Sequence, residues 1–195
     1  MDARCHLTFM DAATRNPPLT ERIRGRIADP RAWAVLQAAY ESFLQFGLKR
    51  TSMQDIADRA GMSRAALYLH YRNKDDIFSA LMEAYFDAAA EAVREALGAH
   101  DDPAEALAAA FEAQMGDAAE MMLRSPHADE LLSAKQGPAR EIVQNGYARL
   151  SEVYGEWLAR EGAQGRIASE AAGDDARATA AAMLASLDGL KQAGL

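Results

Sequence analysis

The sequence predicts an all-α protein, and three features of the chain support this fold class. Runs in which apolar and polar residues alternate, as they do in half-buried strands, are absent. Ala, Leu, Glu and Arg, which favour helices, dominate the chain. Residues that begin and end helices recur at short intervals, and the apolar residues between them are spaced three or four apart.

Capping residues place the predicted helices in the first half of the chain. Four helices begin after polar caps, at Asp29 with Pro30, Ser52 with Asp55, Ser63, and Asn73. The first ends at Gly47 and the second at Gly61, and the fourth runs from Lys74 to about Leu97, roughly 36 Å. Apolar residues cover more than one face of this long helix, so we expect it to be buried on two sides.

Similar signals continue into the second half. Further helices are predicted from Asp102-Pro103, from Ser125-Pro126, over about 139–160 and over about 174–192. Near the N-terminus, Pro17 and Pro18 interrupt any helix. We therefore expect residues 1–28 to form a flexible arm.

Charge is distributed unevenly along the chain. The net charge is −8, which alone argues against a nucleic-acid partner. Residues 15–74, however, hold 11 Lys and Arg against 5 Asp and Glu, a net charge of +6. Residues 75–195 hold 9 against 22, a net charge of −13. Such asymmetry suggests a polyanionic partner for the N-terminal part only.

The sequence also bears on the compartment. No apolar run approaches the roughly 20 residues of a membrane span, so we expect no membrane partner. The first 16 residues lack the continuous apolar segment of a secretory signal. The single cysteine, Cys5, cannot form an internal disulfide, and we interpret it as an incidental thiol. A cytoplasmic protein is the expectation.

The stretch from Ser52 to Phe78 has the residue types that a helix-turn-helix requires. Ala57 is small enough for two helices to cross closely, and Gly61 permits the positive φ of a tight turn. The wedge between the helices is filled by Ile56, Ala60, Met62 and Leu67. The short helix after Ser63 is then free to present its other side chains to the major groove of DNA.

The same stretch carries a set of spaced motifs. They are Ile56-Ala57, Ala60-Gly61-Met62-Ser63, Leu67-Tyr68-Leu69-His70-Tyr71 and Lys74-Asp75-Asp76-Ile77. With these motifs, the segment from Trp33 to Leu81 resembles the N-terminal domain of the tetracycline-repressor (TetR) family of bacterial regulators. Tyr71 stands where that family usually has phenylalanine, a mild departure. Beyond Leu81 only the succession of helices is similar.

The resemblance implies an all-α homodimer with two functional parts. A three-helix helix-turn-helix DNA-binding domain over residues 29–75 is followed by a larger helical ligand-binding and dimerisation domain over 76–195. It further implies a repressor that binds a palindromic operator in double-stranded DNA. A small-molecule effector would release it, and the last two long helices would form the dimer interface.

Candidate DNA contacts cluster around the short helix. Arg64, in its first turn, can bind guanine in a bidentate manner, unless it is only a solvated surface residue. Tyr68 and His70 can donate to phosphate; packing and capping roles are the alternatives. Lys74 is unfavourable for the dipole of the helix it begins, which favours a role facing phosphate. The predicted contacts are Thr51, Ser52, Ser63, Arg64, Ala65, Ala66, Tyr68, Leu69, His70 and Lys74.

The arm adds a further possibility through Arg22, Arg24 and Arg26. These side chains either reach the minor groove or phosphates, or belong to a disordered basic tail. The sequence favours neither reading.

Residues of the C-terminal part are candidates for two roles. An apolar ligand pocket could be lined by Met82, Phe86, Phe111, Met115, Met122, His127 and Tyr147, although side chains at helical spacing more often form plain core. Dimerisation is predicted through Val143, Tyr147, Leu150, Tyr154, Trp157, Leu184, Leu187 and Leu190. This second set exceeds what we expect one helix pair to bury. A ligand against Met82, Tyr85 or Phe86 would tilt the long helix and move the DNA-binding part.

Other classes of protein have less support. The four histidines, His6, His70, His100 and His127, lack the spacing of a metal site, and no nucleophile has an identifiable base. We therefore expect no cofactor, no metal and no enzyme activity. A helical interaction module without DNA binding is the first alternative, and a small helical enzyme the second.

Overall fold

The computed structural model describes residues 17–135, 137, 139–168 and 175–192. Within these ranges the chain is helical, without strands. The helices are α1 (Leu19–Arg26), α2 (Pro30–Phe46), α3 (Met53–Arg59), α4 (Arg64–Tyr68), α5 (Lys74–Gly98), α6 (Pro103–Arg124), α7 (Ala128–Ala134), α8 (Arg140–Ala163) and α9 (Ala176–Gln192). The all-α prediction is confirmed. No helix of the described ranges is long and apolar enough to cross a bilayer.

Helices α2, α3 and α4 form a small unit, called here the head, around a shared apolar centre. Ile56, Ala57 and Leu67 are fully buried there. The predicted start signals are confirmed: the Asp29 side chain caps α2, Ser52 and Asp55 form a capping box on α3, and Ser63 caps α4. These bonds satisfy N–H groups that a helix N-terminus leaves without partners. Gly61, at φ 67°, forms the turn before α4.

Helix α5 leaves the head, and together with the remaining helices, α6 to α9, it forms the part called here the body. This helix has 25 residues and is therefore about 38 Å long. Ile77 and Phe78 are buried at its head end, and Val93 and Leu97 at its far end. It packs against α1, α2, α6 and α8, which confirms the expectation that it is buried on more than one side.

Residues 1–28 were expected to form a flexible arm, but the described part of this segment, from Pro17 onward, contains the helix α1. Leu19 and Ile23 are buried against the body. Arg22 and Arg26 form ion pairs on α5, at 2.5 Å with Glu95 and 2.6 Å with Glu91. The two prolines precede the helix, with Pro18 at its N-cap, and so do not interrupt it. Arg22 and Arg26 are thus occupied on the body and cannot act as a DNA-binding arm in this arrangement.

Helix α6 is kinked at Gly116, which has φ 52° and ψ 177°. Two tyrosine hydroxyls donate to carbonyls beside the kink: Tyr85 of α5 to Gln114 at 2.9 Å, and Tyr40 of α2 to Ala118 at 2.5 Å. A side chain at Gly116 would collide with α1, because its Cβ would lie 2.7 Å from the Cβ of Leu19. The kink therefore requires glycine both for its dihedral angle and for close packing.

Helices α8 and α9 pack together and against α5. Several side chains predicted to face a second subunit are buried within this one chain: Val143, Leu150, Tyr154, Trp157 and Leu184. Tyr147 and Leu187 are half-buried, and the side chain of Leu190 lies outside the described part. The set was predicted to exceed what one helix pair can bury, but that argument overlooked α5 and α6 as further partners within the chain. Tyr154, for example, donates to the Gln114 side chain of α6 at 3.1 Å.

Candidate nucleic-acid interface

Helix α4 presents the most exposed set of predicted DNA contacts. Leu67 holds it to the head, and its opposite side is open to solvent. Arg64 and Ala65 are exposed, Tyr68 is 43% exposed, and Leu69, just after the helix, is 86% exposed. A large apolar side chain so exposed can contact a thymine methyl group in the major groove. Ala66 is half-buried on the same short helix.

Arg64 and Tyr68 interact with each other in the free chain. The Arg64 Nη2 donates to the Tyr68 hydroxyl at 3.1 Å, and the guanidinium lies 5.4 Å from the centre of the ring. Both side chains stay solvent-accessible. The remaining guanidinium donors can reach base edges or phosphate.

Two helix N-termini lie beside this surface. The Ser63 hydroxyl accepts from the Ala66 N–H at 3.1 Å, and the Ser52 hydroxyl accepts from Asp55 N–H at 3.2 Å and donates to its carboxylate. Ser52 and Ser63 are exposed, but only the Ser63 hydroxyl proton remains available to a phosphate, because the Ser52 proton is donated to Asp55. The seven-residue α3 and five-residue α4 are too short for large dipoles, so a phosphate would be held there by hydrogen bonds.

His70 is half-buried and faces the cap of α2. Its Nδ1 lies 3.6 Å from the Asp29 carboxylate. A protonated His70 would form an ion pair there, which ties the end of α4 to the start of α2. The ring keeps its other nitrogen for a phosphate, so the predicted contact stays a prediction.

Thr51 and Lys74 have structural partners that the sequence argument missed. Thr51 is 2% exposed, and its hydroxyl donates to the Gly47 carbonyl at 2.7 Å, so its side chain cannot reach DNA in this arrangement. The Lys74 ammonium donates to the carbonyls of Leu48, Lys49 and Thr51 at 2.7, 2.9 and 3.1 Å. All three ammonium protons are thereby used.

These contacts give a different reason for a lysine at position 74 from the one inferred from the sequence. Its long side chain carries the charge away from the N-terminus of α5 and onto the loop after α2. Carbonyl oxygens near the end of α2 are favourable partners for a cation. The interpretation of Lys74 as a cation held out for phosphate is not supported by this geometry.

Several exposed cations of the head were left out of the predicted set, among them Arg31, Lys49 and Arg50. These three lie near the starts of α2 and α3. Their signal in the sequence was only the local excess of positive charge, because no motif includes them. They add to the positive field around α4.

A cavity of about 310 Å³ lies where α1 and α2 meet α5 and α6, and we call it the junction cavity. Its described lining consists of Thr20, Ile23, Trp33, Leu36, Gln37, Tyr40, Glu41, Leu81, Met82, Tyr85, Asp117, Ala118, Ala119, Met121, Met122 and Lys135. The volume is at the lower end of the range for small-molecule sites. Helix α2 of the head therefore supplies one wall and the kinked α6 another.

Only part of the predicted ligand set lines this cavity. Met82 and Met122 do. The others are Phe86, Phe111, Met115, His127 and Tyr147, which are not among its described lining residues. Phe86 packs edge-on against Tyr147, its ring filling the space beside Gly146, and Phe111 packs on Tyr154. Periodicity alone cannot tell a cavity wall from such core contacts.

Asp117 and Tyr40 are the polar centre of the junction cavity. The Asp117 carboxylate accepts from the Thr20 N–H at 3.1 Å and from its hydroxyl at 2.5 Å. Burial, and then the neighbouring Asp117 carboxylate, raise the pKa of the Tyr40 phenol above its ordinary value. The sequence argument missed both residues, because their importance arises from a contact between distant segments.

Helix α7 provides a second link between head and body. The Ser125 hydroxyl, just before it, donates to the Leu44 carbonyl of α2 at 2.7 Å. The Glu130 carboxylate accepts from the Lys49 N–H at 2.5 Å and lies against Gly47. His127 lies beside the same glycine, as a packing residue. Contacts from Ser125 and Glu130 of the body thus fix the C-terminal end of α2 and the loop after it.

Known proteins match this chain most clearly in the head. Residues 35–81 match the family model described as bacterial regulatory proteins, tetR family. A transcriptional activator, FasR, from Mycolicibacterium smegmatis is 38% identical over 85 residues, which are 44% of this chain and 39% of FasR. A transcriptional repressor, KstR2, from Mycobacterium tuberculosis is 28% identical over 117 residues, 58% of each chain.

A solved structure extends the likeness in fold to most of the chain. The fatty acid degradation regulator FadR from Bacillus halodurans superimposes with a TM-score of 0.65 at 18% identity, over 85% of this chain and 84% of that one. The sequence alignments are shorter, and this chain spans less than two thirds of FasR and of KstR2. The head is thus similar in sequence and fold, and the body in fold.

Proposed function

We propose that the chain is a transcriptional repressor of the tetR family of bacterial regulatory proteins, whose family model matches residues 35–81, and that it binds an operator as a dimer. The exposed face of α4 carries the proposal: Arg64, Tyr68 and Leu69 point away from a buried head core. An arginine, a tyrosine and an apolar tip on one short helix suit base edges, phosphate and thymine methyl. FasR is named an activator and KstR2 a repressor, so the sign of regulation rests on the family resemblance.

The operator is proposed to be a palindrome read by two copies of α4. A two-fold dimer places its two reading helices about one helical turn of DNA apart, roughly 34–36 Å, or a multiple of it. Selection of bound fragments from random duplex DNA, followed by sequencing, tests this. Inverted half-sites centred about 10 base pairs apart, or a multiple of that, are the expected result.

The dimer contact is proposed on the outer faces of α8 and α9. Much of the apolar surface of these helices is buried within the chain, and the exposed residues of the described part of α9 include four alanines, Ala178, Ala181, Ala182 and Ala185. Small residues let two helices approach closely. Sedimentation equilibrium at micromolar concentration tests the dimer, and Ala182→Glu should weaken it. A monomeric wild-type chain would contradict the proposal.

Release of DNA by a small molecule is the last part of the proposed function. Met82 and Tyr85 place α5 on the wall of the junction cavity, while the same helix begins in the head. A ligand that binds the DNA-free form more tightly would shift the population toward it, with a coupling of about 1–3 kcal/mol. The coupling must be equal in both directions. Operator affinity measured with and without ligand, and ligand affinity with and without operator, tests this reciprocity.

A further inference from the structure

We propose that the junction cavity takes an apolar molecule with a cationic amine, and that Asp117 binds the amine. This inference rests on the proposed function for its regulatory meaning, but the binding itself does not depend on DNA. The cavity lies between the head and the body, because α1 and α2 form one side of it and α5 and α6 the other.

The shape and lining of the cavity favour a mainly apolar molecule. Leu36, Leu81, Met82 and Met122 contribute apolar walls, and the thioethers of methionine adapt to irregular ligands. The volume of about 310 Å³ admits a phenylalkyl group with a short chain. The preference for an apolar body follows from this lining.

Three aromatic side chains in the lining favour a cation over a neutral head group. Trp33, Tyr40 and Tyr85 reach the cavity from two different helices, α2 and α5. The faces of such rings attract ammonium groups, more strongly where water is excluded. Any alkylammonium in this space meets aromatic carbon as well as carboxylate.

Asp117 is a fixed negative charge in this wall. Both its oxygens are held by Thr20, at 3.1 Å from the backbone N–H and 2.5 Å from the hydroxyl. A carboxylate has about four lone-pair positions, so acceptor capacity remains. Within the described part of the chain, Asp117 has no ion pair.

The other charged groups of the lining are less suited to select a ligand. Glu41 is already paired with Arg59 at 3.3 Å. Lys135, at the end of α7, is the one basic residue in the described lining, and it is already engaged in an interaction. Asp117, by contrast, is held on α6 by two hydrogen bonds from Thr20 and has acceptor capacity left.

The test uses three probes with one carbon skeleton: 4-phenylbutylamine, 4-phenylbutanol and 4-phenylbutyrate. Binding to the full chain without DNA is measured by calorimetry and by Trp33 fluorescence, with Trp33→Phe as the optical control. The amine should bind at least about tenfold more tightly than the alcohol, and the acid most weakly. Asp117→Asn should remove this preference for the amine and leave alcohol binding within about twofold. Glu112→Gln, which changes an exposed carboxylate of α6 outside the described lining by the same chemistry, should leave all three affinities unchanged.

The wild-type ranking decides the inference even if Asp117→Asn fails to fold. Strongest binding by the acid, especially if Lys135→Gln abolishes it, would overturn the assignment. So would an amine that does not bind at millimolar concentration, or binding unaffected by a folded Asp117→Asn. An amine that binds through Asp117 but leaves operator affinity unchanged would instead refute the regulatory part of the proposed function and leave the site intact.

Discussion

The head and the junction cavity are built from contacts of different range along the chain. In the head, the caps join residues three apart: Ser52 with Asp55, Ser63 with Ala66. At the junction, Thr20 bonds to Asp117 across 97 residues, and Tyr40 to Ala118 across 78. The difference suggests a division of roles: a locally determined surface contacts DNA, and a surface made by tertiary packing adjusts it.

The largest expected effect is the loss of the head core. Leu67→Ala should lower the free energy of unfolding by about 2–5 kcal/mol, because Leu67 is fully buried and leaves a cavity. Chemical denaturation followed by circular dichroism measures the change. Leu69→Ala, two residues on and 86% exposed, is the matched control and should stay within about 0.5 kcal/mol. Equal losses would show that α4 is not divided into a packed and a free side.

The second-largest loss of stability is expected when the Lys74 ammonium is removed. Lys74→Ala leaves three loop carbonyls without their donor and should cost about 1–3 kcal/mol of stability. Its control is Lys49→Ala, since Lys49 is exposed on the same loop. Thermal unfolding should separate the two variants. If Lys74→Ala were as stable as wild type and instead reduced the salt dependence of DNA binding, Lys74 would be a phosphate contact after all.

A comparable effect is expected at the kink of α6. Gly116→Ala requires an unfavourable positive φ and brings a Cβ to 2.7 Å from Leu19, so α1 must move. We expect a loss of about 1–3 kcal/mol together with faster proteolysis before Pro30. Gly61→Ala has a similar φ of 67° but open space around it, so its cost should be the smaller. A larger loss of stability for Gly61→Ala than for Gly116→Ala would contradict the close packing of α1 against the kink.

The smallest effect is expected for the tyrosine that links head and body. Tyr40→Phe removes the hydrogen bond to Ala118 and should cost about 0.5–1.5 kcal/mol at neutral pH. Burial raises the pKa of Tyr40 in the folded chain, so the unfolded chain loses this proton first. The stability advantage over Tyr40→Phe should be complete below about pH 10 and decline as the pH rises further. A constant difference between the two proteins from pH 8 to 11 would contradict this assignment.

The difference between short-range contacts in the head and long-range contacts at the junction also explains what could be predicted from the sequence. Caps and the turn at Gly61 depend on neighbouring residues, so the bounds of α2 to α5 followed from local pattern. Lys74 was misinterpreted because its partners lie 23 to 26 residues away, and a sequence does not show where a loop returns. Helix α1 was missed although Leu19 and Ile23 are one turn apart, because its stability comes from docking on the body.

The central claim is that Arg64 reads DNA while the junction around Tyr40 does not. The direct measurement is fluorescence anisotropy with the selected operator and a scrambled duplex, over a range of salt, for wild type, Arg64→Ala and Tyr40→Phe. Arg64→Ala should lose about 1–3 kcal/mol on the operator, with a smaller loss on the scrambled duplex, and should relax one base position in each half-site. Tyr40→Phe should keep the ratio of the two affinities. Equal losses on both duplexes for Arg64→Ala would make it a phosphate contact, and a changed ratio for Tyr40→Phe would contradict the division between head and junction.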